Sequence, residues 1–280
     1  MYKDLLVTLD AAPQSLVRLE VAARLAERFG AHLVGLYTAT VPEAAGRYGY
    51  FDPALLDPLF REVLDKSRAE ADRVRGHFEE CVARRGVSAE WRMATGFPSE
   101  TTAVHGRYAD LVVLGQIDPD DGLASLVRPV PQEVALAIGR PILTVPYAGK
   151  FAEIGRRVLV GWDAGREATR AINDALPLLA AAQSVTVLAI DPESGFSGHG
   201  EVPGADIALH LARHGVKATI ERTVSARIGA GETLLSRASD LDADLLVMGA
   251  YAHSRVRELL LGGATRTVLE SMTVPVLMSH

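Results

Sequence analysis

Gly249, Gly262 and Gly263, followed by Thr265, fall in the stretch GAYAHSRVRELLLGGATRTVL, which follows the apolar run ADLLVM. These residue types at this spacing suit anion chemistry. A helix starting at about Gly263–Thr265 would present free backbone N–H groups and the positive end of its dipole. Gly262 and Gly263 let the backbone approach a phosphate with no Cβ in the way. Thr265 is placed to cap that helix or to bond a phosphate oxygen, while Arg255, Arg257 and Arg266 add positive charge. His253 lies in the same loop, either within reach of a ligand or on the loop surface. Ala252 adds one methyl near the start of the loop. It is harmless at negative φ and costs ~1 kcal/mol or more at positive φ. By glycine spacing alone, a structural turn is as good a reading as a phosphate site.

Other chemistry-bearing residues are weaker candidates. His210 and His214 sit four apart on one predicted helix, a metal-holding spacing, yet no third ligand lies near them in sequence and a solvated face is the better reading. The single cysteine, Cys81, excludes a disulfide framework and a Cys-based metal site, and it falls on an apolar helical stripe. The aromatic segment GRYGYF (46–51) reads as packing over its own domain, with a lid or partner contact as the alternative. Neither a Walker loop nor a nucleophile elbow occurs, and no general base stands out.

The elements that would position this loop occur twice. ADLVVLGQ (109–116) and ADLLVMGA (243–250) are nearly the same and lie 134 residues apart, as do Pro141 and Pro275 in the segments that follow. The openings KDLLVTLDAAPQS and RRVLVGWDAGREA pair Asp10 with Asp163, at an offset of 153. The extra 19 residues of the first half fall in VPEAAGRYGYFDPALLDPLF (41–60), which has no counterpart of that length. A tandem duplication with one insertion accounts for the offsets. The domains are expected at 1–148 and 154–280. In each half, apolar runs alternate with helical patterns, such as Leu19, Ala22, Ala26 and Phe29 closed by Gly30, or Ala71, Val74, Phe78 and Cys81. Such alternation predicts a parallel sheet covered by helices, with ligands beyond the carboxyl ends of the strands.

The chain has 280 residues, 48% of them hydrophobic, and a formal charge of −6 with acids and bases interspersed. That is no footprint of a nucleic-acid binder. No apolar run approaches bilayer length, and MYKDLLVTLD reads as a strand rather than a signal peptide, so the expected location is cytoplasmic, with no membrane partner.

Two five-stranded α/β halves, each opening on an apolar strand that ends in Asp and closing on a Val-Pro strand, resemble the universal stress protein family across essentially the whole chain. The resemblance implies two tandem Rossmann-like domains, of the adenine-nucleotide α-hydrolase-like type, packed as a pseudo-dimer through their last strands. It also implies ATP, possibly with Mg²⁺, as the ligand. ATP-binding members carry glycine, two residues, glycine, nine residues, glycine, then Ser or Thr. Gly249 and Gly262 match; Ala252 replaces the second glycine and Gly263 the hydroxyl residue. The strand-one aspartate, which in the family lies by adenine and ribose, maps to Asp163, with helix capping as the alternative. The residue that contacts adenine through its backbone maps to about Ile190. The implied nucleotide site is Asp163, Ile190, Gly249, Ala252, His253, Gly262, Gly263, Ala264 and Thr265.

The first half's loop, GQIDPDDGLASLVRPVPQEV, keeps Gly115 but places Asp118 at the second glycine and Arg128 at the third. Asp118, Asp120 and Asp121 would repel a triphosphate, and Pro129 and Pro131 remove N–H donors. This half is expected to bind no ATP in the family's manner, and Asp10 there reads as structural. The expected function is an ATP-binding stress or signalling protein rather than an efficient enzyme. The alternatives are a nucleotide-free module for a small molecule or protein partner, and a slow ATPase. Pairing of whole chains into a homodimer is compatible with either binding reading.

Overall fold

The computed structural model describes residues 1–40, 53–121, 127–192, 204–225, 228–251 and 263–280, with side chains of the helix that begins at Pro53 described from Asp65 onward. By its internal contacts the chain forms two compact units, Tyr2–Ile138 and Gly139–His280.

The first unit runs β1 (Asp4–Leu9), α1 (Pro13–Phe29), β2 (His32–Thr40), α2 (Pro53–Arg85), β3 (Ala89–Gly96), α3 (Pro98–Gly106), β4 (Leu111–Gly115) and α4 (Pro131–Ile138). Its strands are parallel in the order β3-β2-β1-β4. β1 and β4 are almost wholly buried, as continuous apolar strands covered on both faces should be. β3, at the edge, alternates between half-buried and exposed positions. Helix α1 starts on Pro13, where a missing N–H costs nothing, and stops at Gly30 in the left-handed region (φ 59°). The apolar stripes of α1 and α2 are buried, including Leu19, Ala22, Ala26 and Phe29 on one and Ala71, Val74, Phe78 and Cys81 on the other. Cys81 donates to Glu20 Oε1 at 3.6 Å. Burial, and then the Glu20 charge, push its thiol up from the ordinary value, so it is a packing residue and not a nucleophile.

The second unit holds β5 (Ile142–Val145), β6 (Arg157–Trp162), α5 (Arg166–Leu179), β7 (Ser184–Ile190), α6 (Ala205–Arg213), β8 (Ala218–Thr223), α7 (Gly229–Asp240), β9 (Leu245–Gly249), α8 (Gly263–Ser271) and β10 (Val276–Ser279). Its strand order is β5-β10-β9-β6-β7-β8. Strands β6 to β10 repeat the first half's plan. β5, the last strand of the first sequence repeat, belongs to this unit by contact and pairs antiparallel with β10, Leu143 opposite Leu277. The two closing strands therefore meet, as the family resemblance implies, and neither leaves an open edge there.

The near-identity of ADLVVLG and ADLLVMG has a local cause. Asp110 Oδ2 accepts the backbone N–H groups of Lys3 and Asp4. In the same way Asp244 Oδ1 accepts those of Gly155 and Arg156. One carboxylate before the fourth strand thus ties down the start of the first strand in each repeat, satisfying donors that the sheet leaves open.

Candidate functional site

In the second unit, the carboxyl ends of β6, β7 and β9 and the start of α8 enclose a cleft of about 270 Å³. Asp163, Ile190, Gly249, Gly263, Ala264 and Thr265 all line it. Ala252, His253 and Gly262, also singled out from sequence, lie outside the described residues, as do Arg255 and Arg257 and the aromatic segment at 46–51. Among the further lining side chains that sequence reasoning missed are Trp162, Leu234, Met248 and Tyr251. The first and third of these belong to strands already recognised, so the period-2 pattern could have pointed to them.

Each site residue is held by a local device. Asp163 follows β6 and is exposed; its Oδ1 accepts the N–H of Gly165 at 2.8 Å, an Asx turn. Asp10 makes the equivalent turn with the N–H of Ala12, also at 2.8 Å. A Cβ on Gly249 would fall 2.6 Å from the Ala168 nitrogen and 2.7 Å from the Glu167 carbonyl carbon. Gly249 is therefore required by the close approach of β9 to the start of α5, whatever else it does. Among the described residues, none lies within 4 Å of where a Gly263 side chain would be. Thr265 is 5% exposed and its Oγ1 accepts the Tyr251 N–H at 3.2 Å, so the hydroxyl clips the end of β9 to the first turn of α8. Helix α7 comes close behind, since a Cβ on Gly231 would meet Ala264 O at 2.9 Å.

Three strand ends around the cleft turn in the left-handed region without glycine: Ala164 (φ 57°) after β6, Asp191 (φ 47°) after β7 and Tyr251 (φ 57°) after β9. The remaining non-glycine residue of that kind among those described, Asp242, lies in the turn before β9. Each such residue carries a cost of about 1 kcal/mol or more, and strain of this sort gathers where backbone direction matters for a ligand. The half-buried Tyr251 hydroxyl is pushed above its ordinary value by burial, with Arg266 opposing, so it stays a neutral donor. Arg266 itself bonds Glu270 Oε1 at 2.7 Å on the exposed face of α8.

The corresponding cleft of the first unit, about 320 Å³, is lined by Thr8, Asp10, Tyr37, Glu70, Arg128 and Pro129 among others. Register fixes the correspondence: Leu9 pairs with Tyr37 as Trp162 pairs with Ala189, so Thr38 stands where Ile190 does. Here Asp10 is gripped by two guanidinium groups, Arg18 Nη2 at 2.7 Å and Arg128 Nε at 3.5 Å. Arg18 also donates to Thr8 O at 2.6 Å, and Arg128 reaches Asp121 at 3.0 Å. Asp118 closes a turn by accepting the Asp120 N–H at 3.0 Å. Sequence reasoning read Asp10 as structural but did not find its partners. Arg18 stands in helical register with the buried Ser15 and Ala22, and a charged residue on an apolar stripe was the available signal.

On α6 the rings of His210 and His214 lie 4.7 Å apart. Among the described residues no three His, Cys, Asp or Glu side chains come together as a metal would need, and no helix is long and apolar enough to cross a membrane.

An α/β chain of two repeats, each with a cleft beyond its strand ends, defines the class. A family model described as the universal stress protein family matches residues 1–146 and again 155–280, and the chain belongs to that family. A universal stress protein of Synechocystis sp. is 40% identical over 62 residues, a match spanning 22% of this chain and 22% of that protein's length. A universal stress protein of Archaeoglobus fulgidus, solved by crystallography, superposes with TM-score 0.75 at 16% identity, covering 98% of this chain and 94% of its own. A protein of unknown function from Pseudomonas aeruginosa gives TM-score 0.55 at 18% identity, over 99% and 92%. At these identities the structures speak for the fold alone.

Proposed function

We propose that the second cleft binds an adenine nucleotide, ATP with Mg²⁺ in the first instance, and that the chain is a nucleotide-linked stress or signalling protein of the cytoplasm rather than an efficient enzyme. One observation carries this reading. Six residues singled out from the sequence and its family resemblance, spread from Asp163 to Thr265, line a single cleft. Its apolar walls, Leu188, Ile190, Leu234 and Met248, suit a planar base. Asp163 offers a free carboxylate oxygen to ribose hydroxyls, and the first turn of α8 offers N–H groups and a positive dipole to phosphate. At about 270 Å³ the cleft is at the small end of ligand pockets.

A second reading has its own support: the lining contains no Lys or Arg among the described residues. A nucleoside or other uncharged planar ligand would then bind as well as a nucleotide. Isothermal titration separates the two. ATP binding at least tenfold tighter than adenosine (about 1.4 kcal/mol), and lost in Gly263→Asp, is the expected result. Equal affinity for both ligands would favour the uncharged ligand, and no heat with either would sink both readings. Gly263→Asp is a clean variant because no described residue lies within 4 Å of where a side chain would sit there.

A further inference from the structure

The cleft of the first unit has lost the means to hold phosphate, but not its volume. At about 320 Å³ it is larger than its sister, at about 270 Å³. Where the second cleft places the start of α8, this one places Arg128 and Pro129, and the Arg18 guanidinium fills the space that a Cβ on Gly115 would take. The charges at that end cancel. Arg18 and Arg128 are matched by Asp10 and Asp121, at 2.7 and 3.0 Å respectively. One carboxylate on the wall is left over. Glu70 of α2 is half-buried, and its Oε1 accepts a hydrogen bond from Tyr37 Oη at 2.9 Å. Burial, and then the bond to Glu70, hold the Tyr37 hydroxyl far above its usual range, so it remains a neutral donor and brings no charge to the pair. The second oxygen, Oε2, is left for a further donor. Leu9, Leu36 and Val127 supply apolar wall, and Ser67 and Thr38 supply hydroxyls.

We propose that the first cleft is a second ligand site, of opposite preference to the other: it takes a small organic monocation, an amine with a compact apolar body, whose ammonium group pairs with Glu70. An anion would meet Glu70 and Asp121 with the nearby guanidinium groups already committed. A neutral ligand of the same shape would cover the half-buried Glu70 carboxylate without pairing it, the costlier arrangement.

The test is titration of the full chain, by calorimetry or NMR, with three ligands of one shape: tyramine, its neutral analogue tyrosol, and hydroxyphenylacetate. Tyramine is expected to bind about tenfold or more tighter than tyrosol, and the carboxylate not to bind. Glu70→Gln keeps an acceptor for Tyr37 Oη and should weaken tyramine by a similar factor. Arg128→Gln removes one of the two cations that balance Asp10 and Asp121, leaves the lining more negative and should tighten it, which keeps the proposal testable if the Glu70→Gln variant folds poorly. Gly263→Asp, in the other unit, should leave tyramine binding unchanged. Tyrosol binding as well as tyramine, no binding of tyramine at millimolar concentration, or indifference to Glu70→Gln would each overturn the proposal.

Discussion

The two clefts of this chain stand on repeats of one plan and hold the same aspartate in different surroundings. After β1 and after β6 stands the same aspartate in the same turn, Asp10 and Asp163. In the first unit it is locked between Arg18 and Arg128. In the second, the positions matching those arginines by the sequence offsets are Ala171 and Gly262, and no cation pairs with Asp163 among the described residues. The difference teaches that one turn can hold its carboxylate in two settings: where arginine and proline stand at the positions of Gly262 and Gly263, the aspartate has internal cationic partners. Strain follows the same division: the left-handed non-glycine residues described all lie in the second repeat, three of the four at the cleft rim. The first repeat is relaxed and ion-paired; the second holds its strand ends in costlier conformations around an open carboxylate.

The largest effect on this contrast should come from Arg18→Ala. Arg18 is 6% exposed at its side chain and its removal strands Asp10 and the Thr8 carbonyl. Breaking a buried pair costs about 3–5 kcal/mol. Because Arg128 remains near Asp10, about 2–3 kcal/mol is expected in urea denaturation. A loss under about 0.5 kcal/mol would show that the triad holds nothing together.

Next is Gly263→Asp, with a fall in ATP affinity of tenfold or more by calorimetry, about 1.4 kcal/mol. The sister change Pro129→Asp should leave ATP binding as it was. If both changes weaken ATP equally, the division of labour between the clefts is wrong.

Thr265→Ala removes the acceptor for the Tyr251 N–H and frees the end of β9 from α8. The expected cost is about 1 kcal/mol in denaturation, with ATP affinity falling in step. Unchanged ATP affinity would place the nucleotide away from this turn.

The smallest effect concerns acid. Burial alone would raise the Glu20 carboxyl, but the Arg85 hydrogen bond and the charges of Arg85 and Arg84 outweigh it and hold it below the ordinary carboxylate value. A carboxyl lowered on folding contributes stability above its unfolded value, and that contribution is lost as the pH falls through the lower folded one. The matching residue of the second repeat is Asn173, which cannot titrate this way. Wild type should thus lose slightly more stability than Glu20→Gln on acidification below about pH 4.5; parallel curves would show the clip to be immaterial.

The sequence by itself carried most of the fold, because helical and strand periodicities are local and the duplication states each of them twice. It carried the Asp110 and Asp244 ties only as an unexplained identity, since their partners lie far away in the chain. The glycines were recognisable by type, but their causes were not: Gly249 is demanded by the backbone of α5, whereas Gly263 meets none of the described residues. The Arg18–Asp10–Arg128 cluster, the Tyr37–Glu70 pair and the lining role of Tyr251 were decided by tertiary structure alone. Period and composition report what each segment can form with itself. Which side chain neutralises which, and which cavity stays open, depends on distances between segments remote in sequence, and only the folded chain sets those.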